Sequence, residues 1–277
     1  RVTGPGPSPA RRARRGRPSH RRGRSRSDVS LDHHHFGCAA AIDADGGGLS
    51  DDRRDPAGRA AGVGVAFEGT PLPRARLVGM PLRREIEDLD RSALRAEGAA
   101  HFGLDPDRPT LLVFGGSLGA LRLNTAFAGA WREVLDAGWQ LLHVTGERSD
   151  LEDPGEPGYA LRRYVDRMDL AFAACDFIVS RSGAATVSEI SALGIPAVYV
   201  PYAVGNGEQA LNAASAVAHG AAILIPDAEF TPDAVPGRIL PLLTDADERS
   251  RMAEKAAEIG IRTGTENLIA MIDEALA

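Results

Sequence analysis

From about residue 63 onward, short apolar runs alternate with longer segments in which apolar residues recur every three or four positions. Thr110–Phe114 and Phe177–Val179 are runs of the first kind, and Leu121–Ala137 is a segment of the second kind. Short uninterrupted apolar runs are typical of strands buried on both faces, and the longer spacing is typical of amphipathic helices. The pattern therefore predicts an α/β fold, a Rossmann-like parallel sheet with helices on both faces.

The same pattern predicts the other elements of the fold. Further strands are expected at Val63–Phe67, Ala75–Gly79, Trp139–Val144, Arg163–Val165, Ala197–Val200 and Ala221–Ile225. Helices are expected at Ser92–His101, Leu170–Ala174, from Ala184 onward, at Gly207–His219, and near 231–243, 245–260 and 264–276. Ligands of such sheets bind beyond the carboxyl ends of the strands, so the loops that follow strands are the expected place for a site.

Residues 1–62 differ in composition from the rest of the chain. They contain runs dominated by one residue type, at Arg11–Arg15, His33–His35 and Gly46–Gly48, and they sustain neither the two-residue period of a strand nor the 3.6-residue period of a helix. Such a segment has too few apolar residues to fold alone, so we expect a low-complexity, disordered or frameshifted segment in 1–62 and one domain in 63–277. The arginines also leave open a tail that contacts RNA or anionic lipid.

Composition narrows the class of protein. The chain has 277 residues and 43% hydrophobic residues, enough for a substantial core. Cys38 and Cys175 cannot form a disulfide framework, which predicts a reducing cytoplasm. No signal peptide and no apolar run of about 18 residues is found. The net charge is −6 although residues 1–27 hold ten arginines and no acid, so the remaining body is acidic and a poor candidate for binding nucleic acid.

Two glycine-containing turns follow predicted strands. In the first, Gly115, Gly116 and Gly119 permit a tight turn and a close approach to a diphosphate, and Ser117 adds a hydroxyl. It lacks the lysine of a Walker A loop, and a tight turn without a ligand stays possible. In the second, Gly183 opens a helix whose positive end favours an anion.

The helix after the second turn carries Glu189, whose carboxylate could accept two hydrogen bonds from a sugar diol. The alternative is a capped helix with a solvated Glu. A third polar cluster spans 206–213, where Gln209 and Asn212 are three residues apart and suit sugar hydroxyls. An ordinary polar helix start is the alternative there. The backbone of 163–168 could read a uracil edge, although an ordinary connection is at least as plausible.

Metal and histidine chemistry receive little support from the sequence. Three Asp-x-Asp strings (Asp43–Asp45, Asp105–Asp107 and Asp245–Asp247) follow no convincing strand, so no metal site is assigned. His143 lies in a predicted strand, and we expect a structural role for it.

Together these motifs resemble the MurG-type N-acetylglucosaminyltransferases of glycosyltransferase family 28, with the GT-B fold, over roughly residues 63–277. The match rests on residues 79–83, 115–120, 181–196 and 205–212. The sequence Gly-Asn-Gly-Glu-Gln at 205–209 resembles that of the actinobacterial branch of the family. The resemblance implies the C-terminal, donor-binding half of such an enzyme. The donor-site residues that it implies are Arg83, Ser117, Val165, Ala184, Ala185, Thr186, Val187, Ser188, Glu189, Gln209 and Asn212.

Roles also follow from the resemblance. Arg83 and Ser117 are expected at the diphosphate, the Val165 backbone at uracil, Glu189 at the ribose hydroxyls and Gln209 with Asn212 at the sugar. The implied reaction is inverting transfer of GlcNAc from UDP-GlcNAc to lipid I (undecaprenyl-pyrophosphoryl-MurNAc-pentapeptide), which gives lipid II for peptidoglycan. It needs no metal or cofactor, and it places the enzyme at the cytoplasmic face of the membrane.

The family's N-terminal half begins with a Gly-Gly-Thr-x-Gly-His loop that supplies the acceptor site and a base. The chain contains no such loop, so no catalytic residue is identified and this chain alone is expected to bind donor and transfer little. Three alternatives stay open: the donor-binding subunit of a split glycosyltransferase, another UDP-sugar enzyme of similar fold, and a non-enzymatic binder that uses the arginine tail.

Overall fold

The structure is a computed structural model that describes residues 62–116, 120–202 and 207–276, with the backbone of 29–32 and 39–42. Its centre is a sheet of six parallel strands in the order β10-β9-β8-β5-β6-β7. These strands are β5 (Thr110–Phe114), β6 (Gln140–Val144), β7 (Tyr159–Arg162), β8 (Phe177–Ser180), β9 (Ala197–Tyr199) and β10 (Ala222–Leu224).

Helices connect the strands and cover both faces of the sheet. They are α1 (Arg84–Glu87), α2 (Arg91–Phe102), α3 (Leu121–Asp136), α4 (Met168–Ala174), α5 (Ala184–Ala192), α6 (Glu208–Ala218), α7 (Leu240–Thr244), α8 (Ala246–Ile259) and α9 (Gly264–Leu276). A 3₁₀ turn at Asp227–Glu229 and a π-helical turn at Val235–Ile239 precede α7. The predicted α/β fold is confirmed.

The core lies on both sides of the central strand. Along β5 the side chains of Leu111 and Val113 pack into one cluster with Phe127 of α3. Leu112 and Phe114 pack into the opposite cluster with Phe172 of α4. This alternation follows from the two-residue period of a strand, and it explains why β5 is apolar at every position.

The path of the chain reverses at β5. From β5 the chain runs through β6 to β7 at one edge, then returns to β8 on the other side of β5 and continues outward through β9 to β10. The helices that follow β5 and β8 therefore leave in opposite directions and open a crevice between the carboxyl ends of these two strands. Such a topological switch point is where open α/β sheets bind ligands.

A second, smaller sheet has the order β1-β2-β3-β4 and contains β1 (Val29–Asp32), β2 (Ala39–Ile42), β3 (Gly62–Val65) and β4 (Ala75–Leu77). β1, β2 and β3 pair antiparallel, whereas β3 and β4 pair parallel. The structure thus describes β1 and β2 within 1–62, and the expectation of a low-complexity, disordered or frameshifted segment there stays a prediction. The other predictions for this segment, including that for Cys38, concern residues outside the described part of the chain.

Two further element predictions need correction. Arg163–Val165 is not a strand, because β7 ends at Arg162 and these residues form the loop that follows. The helix expected near 231–243 is divided into the π-helical turn and α7. Pro236 and Pro241 each lie near the start of their segment and cannot donate a backbone hydrogen bond, which explains the division.

Candidate functional site

Three of the predicted polar turns meet at the carboxyl edge of the central sheet. Gly115 directly follows β5, Gly183 follows β8, and α6 follows β9 after a connection. Because β5, β8 and β9 are parallel neighbours, their following segments lie side by side. Ser117, Gly119 and residue 206, the first of the third cluster, lie outside the described residues, so the roles predicted there stay predictions.

The start of α5 presents unused backbone donors. Gly183 is its N-cap in an extended conformation, and no described side chain caps the helix. The Val187 N–H donates to the Gly183 carbonyl at 3.0 Å and so closes the first turn. The N–H groups of Ala184, Ala185 and Thr186 precede that bond, and they stand at the positive end of the helix. This arrangement suits an anion such as a phosphate.

Val187 and Ser188 do not join this anion site. The Val187 side chain is 1% exposed in the core, and its N–H is already bonded to Gly183. The Ser188 hydroxyl is buried with no partner among the described residues, and it lines a separate cavity of about 410 Å³ beside Gly79 and His219. The predicted contact of Val187 and Ser188 with the donor stays a prediction.

Glu189 and Arg83 form an ion pair. The Arg83 Nε and Nη2 atoms donate to the same carboxylate oxygen, Glu189 Oε1, at 3.1 and 2.9 Å. The Glu189 side chain is 12% exposed and the Arg83 side chain is 53% exposed. Burial raises the pKa of Glu189, while the nearby Arg83 charge opposes that shift. Arg83 thus holds Glu189 Oε1 and leaves Oε2 as an acceptor, and the predicted contact of Arg83 with the diphosphate stays a prediction.

Val165 lies in the loop beyond β7, with its side chain 7% exposed and packed in the core. Neither its N–H nor its C=O is bonded to another described residue. That leaves the backbone of Val165 available for a ligand, and its contact with uracil stays a prediction. Arg167 and Asp169 follow in a bidentate pair whose shortest N–O distance is 2.7 Å, and hydrogen bonds from Arg167 lower the pKa of Asp169. This pair fixes the entry into α4.

Gln209 and Asn212 are both directed toward the turns at the carboxyl edge. The Gln209 Oε1 atom accepts from the Tyr202 N–H at 2.9 Å, which leaves the amide N–H₂ of Gln209 without a described partner. The Asn212 Nδ2 atom donates to the Ser182 carbonyl at 3.1 Å, and Asn212 is 5% exposed. Asn212 is therefore a buried support for the turn after β8, and its predicted contact with the sugar stays a prediction.

A cluster of charged residues at this edge was not predicted from the sequence. Arg181 Nη1 donates to Asp227 Oδ1 at 2.5 Å and also to the Val200 carbonyl at 2.9 Å. Arg122 Nε donates to the other oxygen, Asp227 Oδ2, at 3.0 Å. The three side chains come from segments far apart in sequence. The one available signal was that each lies just beyond the carboxyl end of a predicted strand.

This cluster lines an open cavity of about 860 Å³, which we call the arginine basin. Gly115 and Gln209 form part of its wall, and Leu121, Tyr202 and Pro232 form part of its rim. The basin therefore adjoins two of the predicted donor-site positions. Arg83, Val165 and Glu189 are not among its lining residues.

A buried polar chain lies beneath the basin. His143 Nδ1 lies 2.9 Å from the Tyr159 hydroxyl, and His143 Nε2 lies 3.2 Å from Asn124 Oδ1. Asn124 Nδ2 donates to the Thr145 carbonyl at 2.8 Å. Burial lowers the pKa of His143 to about 4, so the ring is neutral at neutral pH. This network of hydrogen bonds links the first turn of α3 to β6 and β7, in line with a structural role for His143.

The first aspartate of each Asp-x-Asp string within the described residues accepts a hydrogen bond from the backbone a few residues further along. The Asp105 side chain accepts from the Asp107 N–H, and the Asp245 side chain accepts from the Glu248 N–H at the start of α8. Among the described residues, no group of three or more His, Cys, Asp or Glu is placed to hold a metal ion. No described helix is long and apolar enough to cross a membrane.

Known proteins match this fold and this edge. A family model, the glycosyltransferase family 28 C-terminal domain, matches residues 110–268. A UDP-N-acetylglucosamine--N-acetylmuramyl-(pentapeptide) pyrophosphoryl-undecaprenol N-acetylglucosamine transferase from Leifsonia xyli subsp. xyli is 56% identical over 215 residues, which are 78% of this chain and 60% of that protein. The same-named protein of Streptomyces avermitilis is 47% identical over 222 residues, or 79% and 61% of the two chains.

Among solved structures, the MurG of Acinetobacter baumannii matches with a TM-score of 0.64 and 24% identity, over 79% of this chain and 62% of that one. This likeness establishes the shared fold. The chain spans about 60% of the length of the relatives named above. Because the family model covers more than half of this chain and includes the turns after β5, β8 and β9, the chain belongs to glycosyltransferase family 28 through the C-terminal domain of that family.

Proposed function

We propose that this chain supplies the donor site of an inverting UDP-GlcNAc transferase that acts on a lipid-linked MurNAc-pentapeptide pyrophosphate, in peptidoglycan synthesis at the cytoplasmic face of the membrane. The observation that carries the proposal is the pairing of an anion site with a diol acceptor on one helix. Ala184–Thr186 offer backbone N–H groups at the start of α5, and Glu189 offers a carboxylate one turn further along. The names of the relatives supply the donor and the acceptor.

The ribose is the part of the donor that Glu189 fits best. Its carboxylate is mostly buried, is neutralised on one oxygen by Arg83 and has a second oxygen to accept from hydroxyl groups. A buried acceptor with an unmet hydrogen bond favours a ligand that supplies a donor. The Val165 backbone is the proposed contact for uracil, and the N–H groups of Gln209 are the proposed contact for the sugar.

The catalytic role proposed for this chain is stabilisation of the leaving group, UDP. An acceptor hydroxyl attacks the anomeric carbon of the donor sugar and passes its proton to a base, which the N-terminal half of such enzymes supplies. The bond from that carbon to the diphosphate oxygen breaks, and UDP leaves with the bonding electron pair. Negative charge grows on the diphosphate during this step. The N–H groups of Ala184–Thr186 are fixed before the reaction and face the site where that charge develops, so they stabilise the transition state without reorganising.

Isothermal titration calorimetry of the purified 277-residue chain tests this proposal. We expect binding of UDP-GlcNAc and of UDP, with UDP-GlcNAc preferred over UDP-glucose. GDP-mannose is the matched control, because it carries a diphosphate and a sugar but lacks uracil. Equal affinity for GDP-mannose and UDP-GlcNAc, or binding of neither by a folded sample, would contradict the proposal.

A further inference from the structure

Asn124 is a buried polar residue of α3 that the donor contacts proposed above do not use. It is 7% exposed and lies in the first turn of the helix. Its Nδ2 atom donates to the Thr145 carbonyl at 2.8 Å, and its Oδ1 atom lies 3.2 Å from His143 Nε2. Both ends of the amide therefore have a partner, as a buried amide requires.

The hydrogen-bond partners of His143 fix the direction of this network. Asn124 Nδ2 must be the atom that faces the Thr145 carbonyl, so Oδ1 accepts from His143 and the proton of the ring lies on Nε2. His143 Nδ1 then accepts from the Tyr159 hydroxyl at 2.9 Å. Burial lowers the pKa of His143 to about 4, so the neutral ring has a single N–H, and it is directed at Asn124.

On one side, Asn124 is tied to the glycine turn that follows β5. The Asn124 N–H donates to the Ala120 carbonyl at 2.9 Å and closes the first turn of α3. Ala120 in turn lies against Gly115, since a Cβ atom on Gly115 would come within 2.2 Å of the Ala120 Cβ atom. The absence of a side chain at Gly115 permits this close approach. Asn124 is therefore held in a fixed relation to both ends of the turn.

On the other side, Asn124 is tied to the loop that follows β7. Thr145 comes directly after β6, and its N–H donates to the Arg162 carbonyl at 2.9 Å. The Thr145 hydroxyl donates to the same carbonyl at 3.4 Å. Arg162 is the last residue of β7, three residues before Val165. Hydrogen bonds thus run without a break from Asn124 through Thr145 to the start of the loop that carries Val165.

We propose that Asn124 is a positioning residue that fixes the separation between the turn after β5 and the loop after β7, so that one nucleoside diphosphate contacts both. The inference rests on the proposed function, in which Val165 contacts uracil and the diphosphate lies at the carboxyl edge near Gly115. Asn124 acts through Thr145 and not through a contact with the ligand. Two segments held at the right separation bind the two ends of one ligand more tightly than two segments that move independently.

The test compares uridine with UDP, because uridine lacks the diphosphate and so does not need the turn after β5. Both ligands are titrated calorimetrically into the full 277-residue chain, as wild type and as Asn124→Leu, which keeps a branched side chain but removes both hydrogen bonds of the amide. Tyr159→Phe is the matched control, because it removes a hydrogen bond of the same buried network and leaves the contact of Asn124 with Thr145. Urea denaturation measures the stability of each protein.

We expect Asn124→Leu to weaken UDP binding about tenfold and to change uridine binding by less than about twofold. Tyr159→Phe should lower stability and leave both affinities within about twofold. If Asn124→Leu does not fold, Asn124→Ser takes its place, because the serine side chain is polar and ends one atom short of the amide that reaches Thr145. The same split between UDP and uridine is expected there.

Unchanged UDP affinity in a folded but destabilised Asn124 variant would show a merely structural role and overturn the inference. Equal losses for uridine and UDP would overturn it as well, because Asn124 would then support the base loop alone. Absence of UDP binding by the wild-type chain would instead overturn the proposed function, and the inference with it.

Discussion

The two edges of the central sheet use arginine in opposite ways. At the amino edge, Arg95 donates to the carbonyls of Pro106, Arg108 and Ala174 and forms a bidentate pair with Asp176 at 3.0 Å on both oxygens. At the carboxyl edge, Arg122 makes one hydrogen bond and keeps its terminal nitrogens free of described partners. The fold thus supplies hydrogen-bond acceptors for all three side-chain nitrogens of Arg95, whereas only Nε of Arg122 has a described acceptor.

This difference separates stability from binding. A half-buried polar group whose hydrogen bonds are all made within the protein locks elements together, as Arg95 and Asp176 lock α2 to the start of β5 through the Thr110 N–H. A partly exposed group with unused donors contributes little to stability and gains most from a ligand. The amino edge is therefore expected to govern folding, and the carboxyl edge to govern recognition.

The largest expected effect comes from Arg95→Met. It removes five hydrogen bonds and leaves the Asp176 carboxylate with a single described donor, so unfolding should become easier by about 3 kcal/mol. Urea denaturation measures this loss, and UDP affinity measured below the unfolding transition should not change. Arg84→Met is the control, because Arg84 is exposed and forms a surface pair worth at most about 0.5 kcal/mol. Similar losses in both variants would remove the contrast between the edges.

His143 gives the next largest effect, and it depends on pH. Its pKa is about 4 in the folded protein and about 6.5 when unfolded, so between these values the unfolded chain binds the extra proton. Stability should therefore fall as pH drops from 7 to 5, by about 2 kcal/mol from this residue. Urea denaturation at both pH values should show a smaller drop for His143→Gln. An unchanged drop in that variant would show that His143 is not the source.

At the carboxyl edge, Glu189→Ala should weaken UDP and UDP-GlcNAc alike, by about 10- to 100-fold, because the proposed ribose acceptor is lost. Stability should change little, since a mostly buried carboxylate is removed together with its desolvation cost. Calorimetric titration measures both affinities, with Glu133→Ala on the outer side of α3 as the control. Full retention of UDP affinity would refute the ribose contact.

The smallest effect separates the sugar from the nucleotide. Gln209→Ala removes the amide donors proposed for the sugar, together with the oxygen that accepts from the Tyr202 N–H, and adds no charge beside the diphosphate. UDP-GlcNAc should bind about tenfold more weakly while UDP is spared. Equal losses for both ligands would contradict a role for Gln209 at the sugar.

Much of the fold was predictable because the central strands are buried on both faces. β5, β6 and β8 are apolar at most positions and therefore stand out from their surroundings. β7 is an edge strand whose last residue, Arg162, is polar. The residues beyond it, Arg163–Val165, are again partly apolar, so the prediction placed the strand there. β2 escaped prediction because Ala39–Ile42 consists mainly of alanine, which has little strand propensity.

The site was predictable where it depends on contiguous residues and unpredictable where it depends on pairs. A strand followed by glycine and a helix predicts an anion site from the sequence itself, as at Gly183. The contact of Arg83 with Glu189 spans 106 residues and that of Arg122 with Asp227 spans 105. No local pattern reveals such a pair. Likewise, the burial of Val187 and Asn212 follows from tertiary packing, not from their place in a motif.

Hydrogen–deuterium exchange of the full chain with and without UDP-GlcNAc tests the central claim most directly, because it reads both edges of the sheet in one experiment. The account predicts slower exchange at the start of α5, around Ala184–Thr186, and at Gly115, with no change around Asp176 and the start of β5. Protection at the amino edge, or none at the start of α5 under saturating donor, would contradict it.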